Sequence, residues 1–346
     1  MSEQNCCSTS CLCSDETGIE TVSSSLTRND YLGAWKARWG IGRMDYKVEP
    51  GIYALGKPDG ESPILVSANY KLTFDTLRKN LAGLDCWLLI LDTDGINVWC
   101  AAGKGTFGTD ELVSRIELVG LSEITAHKTL ILPQLGAPGI NAHEVFERTG
   151  FNVSYGPVRA EDIKTYISSG NKATKEMRLV KFTLKDRLVL TPMQLVQASK
   201  KAFPVYALLF ATNNSAARPF DKHDLIASIG SILAGAVATP TLLPYIPGKA
   251  FALKGWIAGL CWTVGYLAKS KKLSKGNRLM SAGQLLLLPA VSSFIGMDFT
   301  GSSTYTSPSG VIKEMKKALP FIIGTALVGS ALTLGAHFSI RRKKSQ

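Results

Sequence analysis

Acidic residues almost vanish from the second half of this chain of 346 residues. Residues 191–346 hold 18 Lys+Arg against 4 Asp+Glu, which leaves 21 and 23 of the chain totals of 39 and 27 for residues 1–190. The net charge of +12 is therefore not spread over a groove for phosphates. It gathers at the ends of apolar runs, the pattern of a membrane domain, and no nucleic-acid partner is expected. An apolar leader is also missing: residues 1–30 are polar and rich in Ser and Thr. The soluble part is expected in the cytosol, where structural disulfides are disfavoured. Seven cysteines (Cys6, Cys7, Cys11, Cys13, Cys86, Cys100 and Cys261) form neither a CxxC pair nor a zinc or iron–sulfur series. The four histidines follow no cysteine-hydrolase signature.

What is present falls into three parts. Residues 1–30 read as a disordered, Cys-containing tail, either reduced thiols or an arm that scavenges soft metals. Residues 31–190 read as a soluble domain that begins with a lead-in segment at 31–50. Strands are expected at 63–68, 86–93, 128–133 and 152–156, with helices near 73–83, 97–103, 110–120, 141–149 and 160–169. That alternation implies an α/β fold with a parallel sheet and helices on both faces. The unalternating run WLLILDT suits a central strand buried on both sides. Residues 171–190 read as a charged connector with some strand character. The third part, 191–346, contains four segments long enough to cross a bilayer, at 225–243, 251–268, 279–297 and 319–339. A fifth apolar stretch at 195–212 is interrupted by Pro204 and is readable as an interfacial helix, a half-span or a crossing. The basic loop 269–278 and the tail RRKK at 341–344 both prefer the cytoplasm, which favours four crossings plus an interfacial helix.

The stretch LLILDTDGINVWCAAGKGTFG, residues 88–108, is the most informative. In a parallel sheet, ligands bind beyond the carboxyl ends of the strands, and Asp94 to Lys104 falls there. Asp94–Gly95 forms a turn, Asn97 is a good N-cap, and Cys100 stands on the first turn of the short helix that follows. A thiol there meets the positive end of the helix dipole and nearby amide protons, which favour thiolate. Gly103 and Gly105 stop the helix and let the backbone approach a flat ligand. These features leave three readings of Cys100 open: a structural cysteine, a ligand to a soft metal, or a nucleophile. Asn69, at the end of the first predicted strand, faces the same edge. The loop PQLGAPGIN at 133–141 would either line a ligand or simply join a strand to a helix.

Residues 48–109 resemble the corrinoid-binding domain of the corrinoid iron–sulfur protein family. Within it, Asn97–Val98–Trp99–Cys100–Ala101–Ala102–Gly103–Lys104 resembles the cap-helix motif of the mercury-methylating corrinoid proteins. FTGSSTYTSPSGV at 299–311 is also similar to that branch. The resemblance implies a Rossmann-like domain holding a cobalamin without its own base. These eight residues would form the cap, with Cys100 as catalytic residue and lower axial ligand of cobalt. It further implies methyl transfer to inorganic Hg(II), a ferredoxin-like partner with two 4Fe–4S clusters, and a methyl-folate methyltransferase as methyl source. The chain would be a multi-pass protein of the cytoplasmic membrane with the corrinoid domain inside and no iron–sulfur cluster of its own. Cys6 and Cys7 would be candidate Hg(II) thiols. Two other functions stay open: a membrane-bound corrinoid methyl carrier of one-carbon metabolism with a different acceptor, and a membrane-anchored scaffold or sensor whose domain is cofactor-free.

Overall fold

The computed structural model describes residues 18–212, 222–270, 278–302 and 308–344. Cys6, Cys7, Cys11 and Cys13 lie outside the described residues, as does part of the 299–311 loop. Two compact units divide between Val180 and Lys181, with Arg38–Gly40 grouped with the second.

Among its described residues the first unit has six strands: β1 (Glu20–Val22), β2 (Gly51–Leu55), β3 (Ile64–Ala68), β4 (Cys86–Leu91), β5 (Thr129–Leu132) and β6 (Asn152–Tyr155). Their order is β1-β2-β4-β3-β5-β6. The four expected strands, β3 to β6, pair in parallel. The sheet is nevertheless mixed, because β2 runs antiparallel to β4 and β1 parallel to β2. The link 56–63 joins β2 to β3 past the intervening β4 and is too short to carry the chain back along the sheet, so the chain reverses direction there. The tail expected to be disordered through residue 30 is corrected as well. Residues 20–22 pair with the sheet, and α1 (Arg28–Arg38) starts within it.

Both faces of the sheet are covered. Val66, Leu89, Leu91 and Leu130 pack with Val98, Ala101, Phe107, Leu112 and Ile116 from α3 (Val98–Lys104), its loop and α4 (Thr109–Leu118). On the other face Leu65, Leu88 and Ile90 meet Phe74 and Leu77 of α2 (Lys71–Asn80), and Ile163 and Tyr166 of α7 (Ile163–Ser168). Here α5 is Leu121–Ile124 and α6 is Ala142–Thr149. Every residue of β4 is buried, which is why its sequence shows no polar alternation. An ionic network joins α1 to α2: Asp30 pairs with Lys71 at 2.7 Å and Arg78 at 2.8 Å, and Asp75 pairs with the same two cations.

The connector holds no strand among its described residues. Thr183 and Asp186 exchange hydrogen bonds at a helix start, with Thr183 N–H donating to Asp186 at 2.9 Å, and α8 (Leu184–Thr212) follows. Among its described residues the second unit has four helices long and apolar enough to cross a membrane: Asp224–Thr241, Phe251–Lys269, Arg278–Gly301 and Ser309–Ala336, here called spans one to four. Gly255 and Gly259 are used within the chain. A Cβ on either would collide with the backbone or side chain of Ser292 in span three, so the pair is a packing surface for a neighbouring helix. α8 runs antiparallel to spans one and three. Leu190 packs with Leu243 and Phe299, Leu195 and Ala198 with Ala236 and Ile295, and Lys201 lies 4.6 Å from the Phe294 ring centre.

Candidate functional site

β4 ends at Leu91, and the chain turns over the carboxyl edge of the sheet through Asp92 to Asn97. Asp94 (φ 55°) and Gly95 (φ 68°) are consecutive left-handed residues. That geometry suits glycine and is tolerated by aspartate. Asn69, at the end of neighbouring β3, holds the turn from below. Its side-chain oxygen accepts from Thr93 N–H (3.1 Å), Thr93 O–H (2.9 Å) and Gly95 N–H (3.0 Å), and its amide donates to Asp92 at 3.0 Å. Asn69 is 1 % exposed. Its side-chain oxygen is thus fully used by the loop it holds at the carboxyl edge of the sheet. Glu111 of α4 adds a second brace by accepting from Asp92 N–H at 2.8 Å. Neither brace has a local sequence signal, because each partner comes from a different element.

The helix α3 then begins as expected. Asn97 is its N-cap and accepts from Cys100 N–H at 2.9 Å, and Gly105 closes it in the left-handed conformation. Val98, Ala101 and Ala102 are buried against the sheet. Trp99, Cys100, Gly103 and Lys104 form the outer face, with Trp99 39 % exposed. A Cβ added at Gly103 or Gly105 would meet nothing within 4 Å. The outer face is thus an open shelf with a sulfur on it and no side chain at either glycine.

The loop at 133–141 holds the shelf from the side. Gln134–Gly139 forms a 3-10 helix, and Cβ atoms at Gly136 or Gly139 would strike Phe107 or the Ala102 backbone. Those glycines exist for close packing with α3, which accounts for them without a ligand. Phe107, fully buried, anchors the far end of the shelf, a role that sequence reading missed. The Thr106 hydroxyl beside it is buried with no hydrogen-bond partner among the described residues.

Cys100 is exposed, whereas Cys86 is buried in β4, where burial, aided by Asp85, pushes its thiol up to about 12. Cys86 is core. The two histidines of the first unit are engaged elsewhere: His127 with Ser62 O and Thr129 N–H, and His143 with Glu147. No base contacts the Cys100 sulfur among the described residues, and no group of three metal-ligating side chains occurs among them. A free ion would find one donor here. A metal already held by a macrocycle needs only one, and the flat glycine floor beside the sulfur fits such a group.

Residues 41–167 match the family described as CO dehydrogenase/acetyl-CoA synthase delta subunit, CdhD. Similar curated proteins are gamma subunits of the acetyl-CoA decarbonylase/synthase complex. The Methanopyrus kandleri protein is 32% identical over 127 residues, covering 36% of this chain and 27% of that one. The Methanosarcina acetivorans protein is 34% identical over 120 residues (34% and 25%). The Methanocaldococcus jannaschii protein is 29% identical over 139 residues (39% and 28%). The chain thus spans about a quarter of the length of these relatives, and the family match, 41–167, falls within the first unit, which carries the shelf.

Proposed function

We propose that the first unit binds a corrinoid over α3, with the Cys100 sulfur as lower axial ligand of cobalt, and that the protein transfers a methyl group to inorganic Hg(II). The observation that carries this reading is the exposed sulfur at the centre of a shelf floored by glycine. When bound, the corrinoid supplies the metal that takes up and gives away the methyl group. The chain does the rest. Cys100 would donate electron density to the metal it held, which would favour transfer of a methyl group to a soft thiophilic acceptor. Asn97 fixes the turn on which the sulfur stands, and Asn69 and Glu111 fix the loop that leads to it. Trp99 and Lys104 share the outer face of α3 with the sulfur.

The likeness of residues 97–104 to the mercury-methylating cap helix supports Hg(II) as substrate. In this reading reduction falls to a ferredoxin-like partner with two 4Fe–4S clusters and methyl supply to a methyl-folate methyltransferase. Cys6 and Cys7 are candidates for delivering the ion. A second reading is favoured by the relatives themselves: a corrinoid carrier serving an acceptor other than mercury. Purified protein should show a corrinoid visible spectrum, which a cofactor-free scaffold would not. With donor, reductant and Hg(II), the wild type should form methylmercury and Cys100→Ala should form none. Full activity in that variant would remove the ligand assignment. A corrinoid spectrum without methylmercury from the wild type would leave the second reading.

The four spans support a place in the cytoplasmic membrane with the corrinoid unit inside. The lengthwise packing of α8, 29 residues or about 43 Å long, supports a fifth crossing. In that arrangement loops 242–250 and 299–302 share the side of Lys181, and the RRKK tail lies opposite. The tail and the basic loop 269–278 then both depart from the cytoplasmic preference their charge suggests. Lys249, Lys313, Lys316 and Lys317 supply the competing positive charge at the other end.

A further inference from the structure

A cavity of about 790 Å³ opens between the starts of spans two and four. Lys249, Lys313 and Lys317 stand on its lining, all three exposed, and the last two are one helical turn apart. The carboxylate among them, Glu314, is engaged: it accepts from Ala252 N–H at 2.7 Å and so caps span two. The deeper wall is apolar, formed by Leu253, Phe321 and Ile322. Leu253 and Phe321 are themselves 46 % and 58 % exposed, so the wall faces outward on a span that is only 11% buried. Trp256 lines the same cavity, and its indole N–H is buried with no hydrogen-bond partner among the described residues.

Cations at one rim, an unmet N–H donor inside and an apolar outward wall describe a ligand with an anionic, oxygen-rich head and a hydrocarbon tail. We propose that this cavity is a binding site for a phosphate-headed lipid, an anionic glycerophospholipid. Its head pairs with Lys249, Lys313 and Lys317, a head or ester oxygen accepts from Trp256, and an acyl chain lies along Leu253, Phe321 and Ile322. Free phosphate offers the same head but nothing for the wall, and a zwitterionic lipid offers the tail but no net charge for three lysines.

The test is native mass spectrometry of the full-length protein released from mixed phosphatidylglycerol and phosphatidylcholine micelles. Phosphatidylglycerol should remain bound in preference to phosphatidylcholine by roughly tenfold. Lys313→Ala/Lys317→Ala should abolish that preference. Trp256→Phe, which preserves most of the ring, should lower phosphatidylglycerol retention, and Lys316→Ala, on the same helix but off the cavity, should leave it unchanged. Variants are compared only as monodisperse species matching Lys316→Ala on gel filtration. Equal retention of the two lipids would overturn the proposal. So would an undiminished preference in the double variant, unchanged retention in Trp256→Phe, or full displacement of the lipid by millimolar inorganic phosphate.

Discussion

Replacing Asn69 by alanine tests whether the shelf is held from below. The side chain makes four hydrogen bonds, all to the turn Asp92–Gly95, and it is buried. Its loss strands the N–H groups of Thr93 and Gly95 and removes one of two acceptors from the Thr93 hydroxyl. The hydroxyl retains a bond to Ile96 O at 2.7 Å, so the two amides carry most of the cost. At about 1–3 kcal/mol for each buried unsatisfied group, and with partial relaxation, the turn should lose roughly 2–3 kcal/mol of local stability. Hydrogen exchange of peptides covering 92–97 reads this directly. Exchange there should accelerate roughly 30- to 150-fold, since each 1.4 kcal/mol is a factor of ten. Peptides covering β5 and β6, which share no bond with Asn69, should keep their protection. Corrinoid retention should fall with the turn although Asn69 touches no ligand. Unchanged exchange at 92–97 would refute the positioning role, and equal acceleration everywhere would show a global loss of fold instead.

Three further outcomes follow from the same geometry. Gly139→Ala should push the 133–141 loop off α3, costing about 1–3 kcal/mol in thermal unfolding and lowering corrinoid content; normal content would mean that this contact does not support the cap. For Asp30, burial alone would raise the carboxyl, but hydrogen bonds from Lys71 and Thr27 overcome it and hold the group well below the usual carboxylate range. Because the folded-state value is depressed, its stabilisation is present above the ordinary carboxylate value, about 4, and is lost as pH falls below it. Asp30→Asn should therefore flatten the acid limb of a stability–pH curve, and an unaltered limb would refute the network's role. A cysteine placed at Gln346 in a chain otherwise free of accessible thiols should react with an impermeant maleimide from outside if α8 is a fifth crossing. Labelling only after the membrane is opened would restore four.

The parts legible in the sequence are those governed by neighbours along the chain. Asn97 caps α3 three residues before the end of its hydrogen bond, at Cys100. β4 announces its double burial by composition, and the four spans announce themselves by length and apolarity. The capping pair Thr183 and Asp186 was equally local, yet the β-branched and apolar residues around it suggested a strand instead. Gly255 and Gly259 advertised close packing without naming Ser292 as the neighbour.

What residues 97–104 determined by themselves was a short capped helix with a thiol on its first turn, because capping and helix termination are settled within one or two turns. Tertiary structure alone decided that this thiol faces outward over glycine, that Asn69 works beneath the loop, that β2 runs against β4, and that Asp30 ties α1 to α2. Each of those depends on groups far apart in the chain, and such contacts acquire definite geometry only when the sheet has brought its strands together.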